Sequence, residues 1–269
     1  MDCSPTVSID DPGDPRLADY LELSDPAGRR RRERDELFVA EGATAIRRLL
    51  ASDHEVRSVL VTPQAYKRLA AELSSLDAPV YVAPKDVLAA TVGFDLHRGA
   101  VAAARRRPLP DLEAAVAGAA RIVVLEGLND PENLGAVARS ARALGVDAAV
   151  LDPTCIDPYY RRTVRVSMGE ILFLPTARAA DWPGDLDRLR ALGFELWALT
   201  PAAKATSIWD VPVPPRVALL LGAEGPGLSP AALGAADRTV RIPIRAEVDS
   251  LNVGHAAAVA FAALQRPGS

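Results

Sequence analysis

A chain of 269 residues with 49% hydrophobic and 25% charged side chains has the composition of an ordinary globular protein, long enough for one large or two modest domains. No run approaches the roughly 18 consecutive apolar residues of a membrane span, and the opening Met1-Asp2-Cys3-Ser4-Pro5 lacks the apolar stretch of a signal peptide, so a cytoplasmic protein with no membrane partner is expected. Two cysteines, Cys3 and Cys155, make neither a metal spacing nor a disulfide framework, and the net charge of −4 argues at first against a nucleic-acid partner.

The charge is unevenly distributed, which shows when the chain is taken in order. Residues 1–15, with three prolines and four acids, read as a disordered tail. Residues 16–107 then hold the pattern of a small α/β domain. Phe38 to Gly42 leads into an amphipathic helix over Ala43 to Ala51, and a strand over Val56 to Val61 ends at Thr62-Pro63. A helix over Gln64 to Leu76, a strand over Val80 to Ala83, a short helix over Lys85 to Ala90 and a strand over Ala100 to Ala104 follow. From Arg16 to Pro110 there are 16 Lys and Arg against 13 Asp and Glu. Within that stretch lie the run Arg29, Arg30, Arg31, Arg32 and Arg34, the pair His97-Arg98, and Arg105 with its neighbours Arg106 and Arg107. Such clusters either neutralise phosphates or form a solvated helix face and a basic linker. The prolines and arginines at 105–110 mark a boundary, and residues 108–118 read as a linker.

Residues 119–269 repeat short apolar runs separated by helical stretches. The runs are Ile122 to Leu125, Ala148 to Leu151, Ile171 to Leu174, Leu196 to Leu199, Val217 to Leu221 and Val240 to Ile244, and they predict a parallel sheet covered on both faces. Three segments sit where such a run gives way to a turn or helix, the place where open α/β sheets bind ligands. They are Asn129 to Arg139, Leu221 to Ser229, and Ile242-Pro243-Ile244 continuing to Ser250-Leu251-Asn252. Their polar groups have no packing reason, so they read as one site. Gly127-Leu128-Asn129-Asp130-Pro131 replaces the dinucleotide-binding glycine fingerprint, and no Gly-Lys-Ser/Thr follows Gly222 or Gly225, so nicotinamide and P-loop chemistry lose most of their support.

In order and spacing these segments resemble the three motifs of the SpoU (TrmH) family of S-adenosylmethionine-dependent RNA ribose 2′-O-methyltransferases. Asn133 followed six residues later by Arg139 is similar to the first motif, Gly222 to Ser229 to the second, and Ile242-Pro243-Ile244 with Ser250-Leu251-Asn252-Val253 to the third. Two departures occur: Ala246 where many members have glycine, and Gly254-His255 where Ser-x-Ala is common. Glu41-Gly42 and Gly93 to Gly99 look like the signature of the N-terminal substrate-binding domain that members often carry, which is related to small RNA-binding ribosomal proteins.

The resemblance implies an α/β catalytic domain with a deep trefoil knot, an exception to the usual rule against knots. It also implies a homodimer through that domain. It assigns Arg139 to the catalytic position, with Asn133, Glu224, Ser250 and Asn252 around it. S-adenosyl-L-methionine is expected against Leu221, Gly222, Glu224, Gly225, Ile242, Ile244, Leu251 and Asn252, with Thr200 nearby, and no metal is required. Methyl transfer to a hydroxyl needs alignment and removal of a proton from a very weak acid. Arginine is effectively never deprotonated in proteins, so a role for Arg139 in holding a phosphate and polarising the hydroxyl is easier to support than literal base catalysis. RNA is the expected partner, guided by Arg29 to Arg32, Arg34, His97, Arg98 and Arg105, and ribosomal RNA is favoured over transfer RNA because a separate domain precedes the catalytic one. A transfer-RNA enzyme, or a noncatalytic RNA- or ribosome-binding protein that kept the fold, are the alternatives.

Overall fold

The computed structural model of the chain describes residues 6–25, 27–28, 31–32, 36–96 and 98–265. Arg29, Arg30, Arg34 and His97, four of the residues expected to meet RNA, lie outside them. The chain divides into two compact units, one of Met1–Pro108 with Tyr159–Leu172, the other of Leu109–Pro158 with Phe173–Ser269. Among the described residues no helix is long and apolar enough to cross a membrane.

The first unit is built on a five-stranded mixed sheet. Its elements are β1 (Thr6–Ser8), β2 (Leu37–Glu41), α1 (Ala43–Leu50), β3 (Val56–Val61), α2 (Pro63–Leu73), β4 (Val80–Val82), α3 (Lys85–Val92) and β5 (Ala100–Arg105), with sheet order β1-β4-β3-β5-β2. The end of the expected disordered tail is a strand instead. Thr6–Ser8 pairs in parallel with Val80–Val82, and Ile9 is 1% exposed, because Val7 and Ile9 supply the apolar residues that an edge position needs. Ile9, Leu17, Tyr20, Val39, Leu60 and Val101 share one core, and the Tyr20 hydroxyl is satisfied inside it by Ser58 at 2.7 Å.

The segment Tyr159–Leu172, expected to form part of the second domain, packs into this first unit. Its helix Arg161–Val166 places Arg161 against Glu41 and 4.7 Å over the Phe94 ring, while Tyr159 stacks on Phe38 at 5.1 Å. The residues read as a substrate-binding signature, Glu41 and Phe94, are thus contacts for this insert. The run Ile171 to Leu174 is not a strand but a 3-10 turn, Glu170–Phe173. Ile171 and Leu174 are both buried and three residues apart, the spacing of that turn.

The second unit starts inside the expected linker. The short helix α4 (Leu112–Ala115) buries Leu112 in the main core, so 108–118 is structural. Then come β6 (Arg121–Glu126), α5 (Pro131–Ala143), β7 (Ala148–Leu151), β8 (Thr176–Arg178), α6 (Gly184–Ala191), β9 (Glu195–Leu199), β10 (Thr206–Ser207), β11 (Val217–Gly222), α7 (Pro230–Ala235), β12 (Arg238–Arg241) and α8 (Val253–Leu264). All seven strands are parallel, in the order β10-β12-β9-β11-β6-β7-β8. Continuous apolar runs fit strands buried on both faces. On one face Leu112, Leu186, Leu189 and Phe194 pack against Ile122, Val124, Leu196 and Leu220. Helices α5 and α8 pack on each other, so close that a Cβ on Gly254 would lie 2.9 Å from the Ala136 Cβ. The strand expected over Val240 to Ile244 stops at Arg241 because Pro243 has no N–H to pair, and Ile242 and Ile244 are released toward the loops.

Candidate active site

Each of the three segments is shaped by its own chemistry before it joins the others. The first leaves β6 through Gly127 and enters α5, where Asp130 caps the helix by accepting the Glu132 N–H at 2.9 Å and Pro131 sits in the first turn. That entry puts Asn133 on a buried face, 7% exposed.

The second folds back over the end of its own strand, with Ala223 bridged to Gly227. Gly222 is required there for space: a Cβ would fall 2.1 Å from the Gly227 carbonyl carbon and 2.3 Å from the Leu228 nitrogen. Gly225 is required for conformation instead, since its φ is +88° and a Cβ would meet nothing within 4 Å. Gly222→Ala therefore overpacks the turn and is expected to cost about 1–3 kcal/mol of stability and to shrink the neighbouring cavity. Thermal unfolding and a titration with adenosylmethionine check this; an unchanged melting temperature with unchanged affinity would contradict the packing argument.

The third segment returns from β12 through an exposed turn and ends at Asn252. The Asn252 Oδ1 caps α8 by accepting the N–H groups of Gly254 at 2.9 Å and His255 at 3.3 Å. Its Nδ2 donates to Asn133 Oδ1 at 2.9 Å and to Glu224 Oε1 at 2.5 Å. One amide thus joins residues of all three segments, and Glu224 also accepts the Val253 N–H at 3.4 Å.

Around this junction lie two cavities. One, of about 370 Å³, is lined by Leu199, Thr200, Pro201, Leu221 to Gly225, Gly227, Ile242, Ile244, Ser250 to Val253 and Ala256. Every residue expected to hold the cofactor is in that lining. The other, a more open cleft of about 670 Å³, shares Ala223, Glu224 and Gly227 with it and is lined by Glu126 to Asp130, Asn133, Asp152, Thr154 and Ser229 among others. No lysine or arginine lines either cavity among the described residues, and Glu224 is the charged side chain common to both.

Arg139 is not brought into the cluster. It lies six residues beyond Asn133 on α5, about 9 Å along the axis and roughly 240° around it. It is exposed and makes no hydrogen bond or ion pair with any described residue. Ser250 and Asn252 make no hydrogen bond to Arg139, which leaves the ribose as the group they would meet. The Asn252 amide is committed to Asn133 and Glu224, and Ser250 faces the smaller cavity.

Of the basic residues expected to meet RNA, Arg32 is buried, 8% exposed, with its guanidinium on the Leu21 and Leu23 carbonyls, so it supports the chain instead of facing a partner. Arg31 is partly exposed, Arg98 is exposed, and Arg105 is exposed but paired with Glu55 at 2.9 Å.

Sequence reasoning missed Glu126. At the end of β6, 9% exposed, it accepts hydrogen bonds of 2.7 Å from the Ser229 N–H, the Ser229 hydroxyl and the Trp182 indole N–H. It pins the far end of the second loop to the strand beside Gly222, its register partner. A carboxylate closing an otherwise apolar strand was the available signal, since a buried charge needs partners. Cys155 is buried, and desolvation, with a smaller contribution from Asp152, pushes its thiol up to about 12, so it is no nucleophile near neutral pH.

A model of the SpoU rRNA methylase family matches residues 120–262. An uncharacterized tRNA/rRNA methyltransferase of Mycobacterium bovis is 46% identical, the match covering 96% of this chain and 91% of the relative. The crystal structure of an AdoMet-bound rRNA methyltransferase from Sinorhizobium meliloti superposes with a TM-score of 0.81 at 25% identity over 97% of this chain and 98% of that one. That of an RNA 2′-O ribose methyltransferase does so with a TM-score of 0.77 at 32% identity, over 97% and 98%. With its three segments converging at the ends of a parallel sheet, this chain belongs to the SpoU rRNA methylase family.

Proposed function

We propose that this protein transfers a methyl group from S-adenosylmethionine to a ribose 2′-hydroxyl of structured RNA, and that the RNA is ribosomal. The observation that carries this reading is the Asn252 amide, which ties Asn133, Glu224 and the start of α8 together at the rim of the 370 Å³ cavity. That volume suits a ligand of nucleoside size. Its walls are mainly apolar side chains and turn backbone, whose amides and carbonyls read an adenine edge, and the bare Gly222 lets Gly227 and Leu228 close over the strand end beside it. Glu224, with no lysine or arginine among the described residues lining the cavity, favours a positively charged sulfonium over a phosphate-bearing cofactor.

When bound, the cofactor would supply an electrophilic methyl group to the ribose oxygen and depart as the neutral thioether, with the hydroxyl proton passing to water. The chain's part is alignment and charge. Leu221, Gly222, Gly225, Ile242, Ile244 and Leu251, with Thr200, hold the donor. Asn252 fixes Glu224 and Asn133 at the junction of the two cavities, and Ser250 offers a hydroxyl to the ribose. Arg139, exposed and uncommitted to any described partner, holds the phosphate beside the target ribose and polarises the hydroxyl. With no lysine or arginine among the described residues lining either cavity, such a contribution from outside the walls suits a polyanionic substrate.

The first unit is read as the RNA-binding domain. Similarity to an rRNA methyltransferase over 97% of this chain, both units included, supports ribosomal over transfer RNA. The same reading carries the trefoil knot, the homodimer through the second unit and residence in the cytoplasm. Mapping ribose methylation across total RNA from cells with and without the protein tests it: one lost mark in ribosomal RNA is expected, and an unchanged map would sink the proposal.

A further inference from the structure

The arginine runs that stand out in the sequence are not the ones the fold gathers. Arg32 is buried on carbonyls, Arg105 is spent on Glu55, and Arg107 lies 3.5 Å from Asp53. A different set converges around Glu41 in the first unit. Arg161 of the insert pairs with Glu41, and Arg165, one turn on, lies 4.0 Å from the same carboxylate. Beside Glu41, a Cβ on Gly42 would be 3.8 Å from the Arg98 side chain. The Arg98 carbonyl accepts from the Arg68 guanidinium at 3.3 Å, and the Arg68 carbonyl from that of Arg47 at 3.0 Å. Arg48, next along α1, pairs with Glu170 of the insert at 2.9 Å.

Six arginines thus lie along one series of contacts with three carboxylates, Glu41, Glu72 and Glu170, while Asp95 is taken by Lys85. Two of the carboxylates are less exposed than the arginine they pair with, Glu72 at 32% of its side chain against 46% for Arg47 and Glu170 at 26% against 34% for Arg48, whereas Glu41 and Arg161 are both largely buried, with Arg165 at 45% beside them. Of the six, Arg47, Arg68, Arg98 and Arg165 are exposed, and since a guanidinium has five N–H donors and an ion pair uses two at most, these four keep donors open to solvent, while Arg161 belongs to the largely buried pair with Glu41. A local excess of three positive charges on a chain of net charge −4 is a directed feature.

We propose that this face is the phosphate-binding surface for the RNA backbone, with the insert Tyr159–Leu172 supplying part of it. The inference rests on the RNA reading above but moves the contact from the sequence-prominent arginine runs to Arg47, Arg68, Arg98 and Arg165. Guanidinium forks held by recessed carboxylates match phosphate geometry, and such contacts release counterions.

The test is the salt dependence of binding to a labelled mixed-sequence RNA hairpin by the full chain, comparing wild type with a triple variant, Arg68→Ala, Arg98→Ala and Arg165→Ala. The triple variant is expected to lose about 10- to 100-fold in affinity at low salt and roughly two to three units of slope in log K against log salt. Adenosylmethionine affinity and melting temperature are expected to hold. The lysine counterpart, which keeps the charges, should retain the slope and controls for folding. Arg105→Ala with Arg107→Ala should leave it unchanged. A triple variant with wild-type slope and affinity, or a loss confined to the Arg105 and Arg107 variant, overturns the proposal. So does a wild-type protein that binds adenosylmethionine but shows no salt-dependent RNA binding; loss of cofactor binding with RNA binding intact would instead strike the methyl-transfer reading.

Discussion

Asn252→Asp is expected to lower methyl transfer by about 100-fold or more near pH 8 while leaving the protein folded. Aspartate keeps the oxygen that caps α8, so the Gly254 and His255 N–H groups stay satisfied. It replaces the amide N–H donor with a carboxylate oxygen facing two acceptors, Asn133 Oδ1 and Glu224 Oε1, the latter at 2.5 Å. Two carboxylates at that distance repel, and the Asn133 oxygen loses its donor. Asn252→Ala separates the effects: it loses the donor without adding a charge and removes the cap as well, costing about 1 kcal/mol of stability. Single-turnover rate with parallel thermal unfolding decides it. A folded Asn252→Asp variant as active as wild type would show that the junction has no part in transfer.

Arg139→Ala has the second large expected effect, a fall of about 10² to 10⁴ in single-turnover rate on RNA with adenosylmethionine affinity within twofold of wild type. The separation follows from position. Arg139 lines neither cavity, so cofactor binding does not sense it, yet it is the cation on the site's own helix left without a described partner. Arg139→Lys keeps the charge but not the two-pronged geometry and should fall between the two. Calorimetric titration beside the rate measurement checks both halves, and full activity in the alanine variant would remove Arg139 from the mechanism.

The candidate site was legible because its signals are local. Each segment joins an apolar strand end to glycine, proline and polar residues within about ten positions, and the fold carries Asn133, Glu224 and Asn252 to one point. Arg139 was legible as a position and not as a contact, since helix geometry turns it away from Asn133. What failed was non-local. The Glu41–Arg161 pair spans 120 residues, and nothing near Tyr159 marks a segment that leaves one sheet to pack beside another. An arginine run does not reveal which guanidinium turns inward, and Arg32 does so because the Leu21 and Leu23 carbonyls need donors. The apolar run at Ile171 to Leu174 suited a strand and a 3-10 turn equally, and the burial of residues three apart settled it.

Methyl transfer to a ribose oxygen is the reaction on which these residue roles depend. Incubating the purified protein with adenosylmethionine carrying a tritiated methyl group and with deproteinised ribosomal RNA, then digesting the RNA in alkali, tests that claim most directly. Tritium in an alkali-resistant dinucleotide, the mark of a 2′-O-methyl ribose, is the expected result. Bound cofactor with no label in RNA, or label recovered on a base, would contradict it.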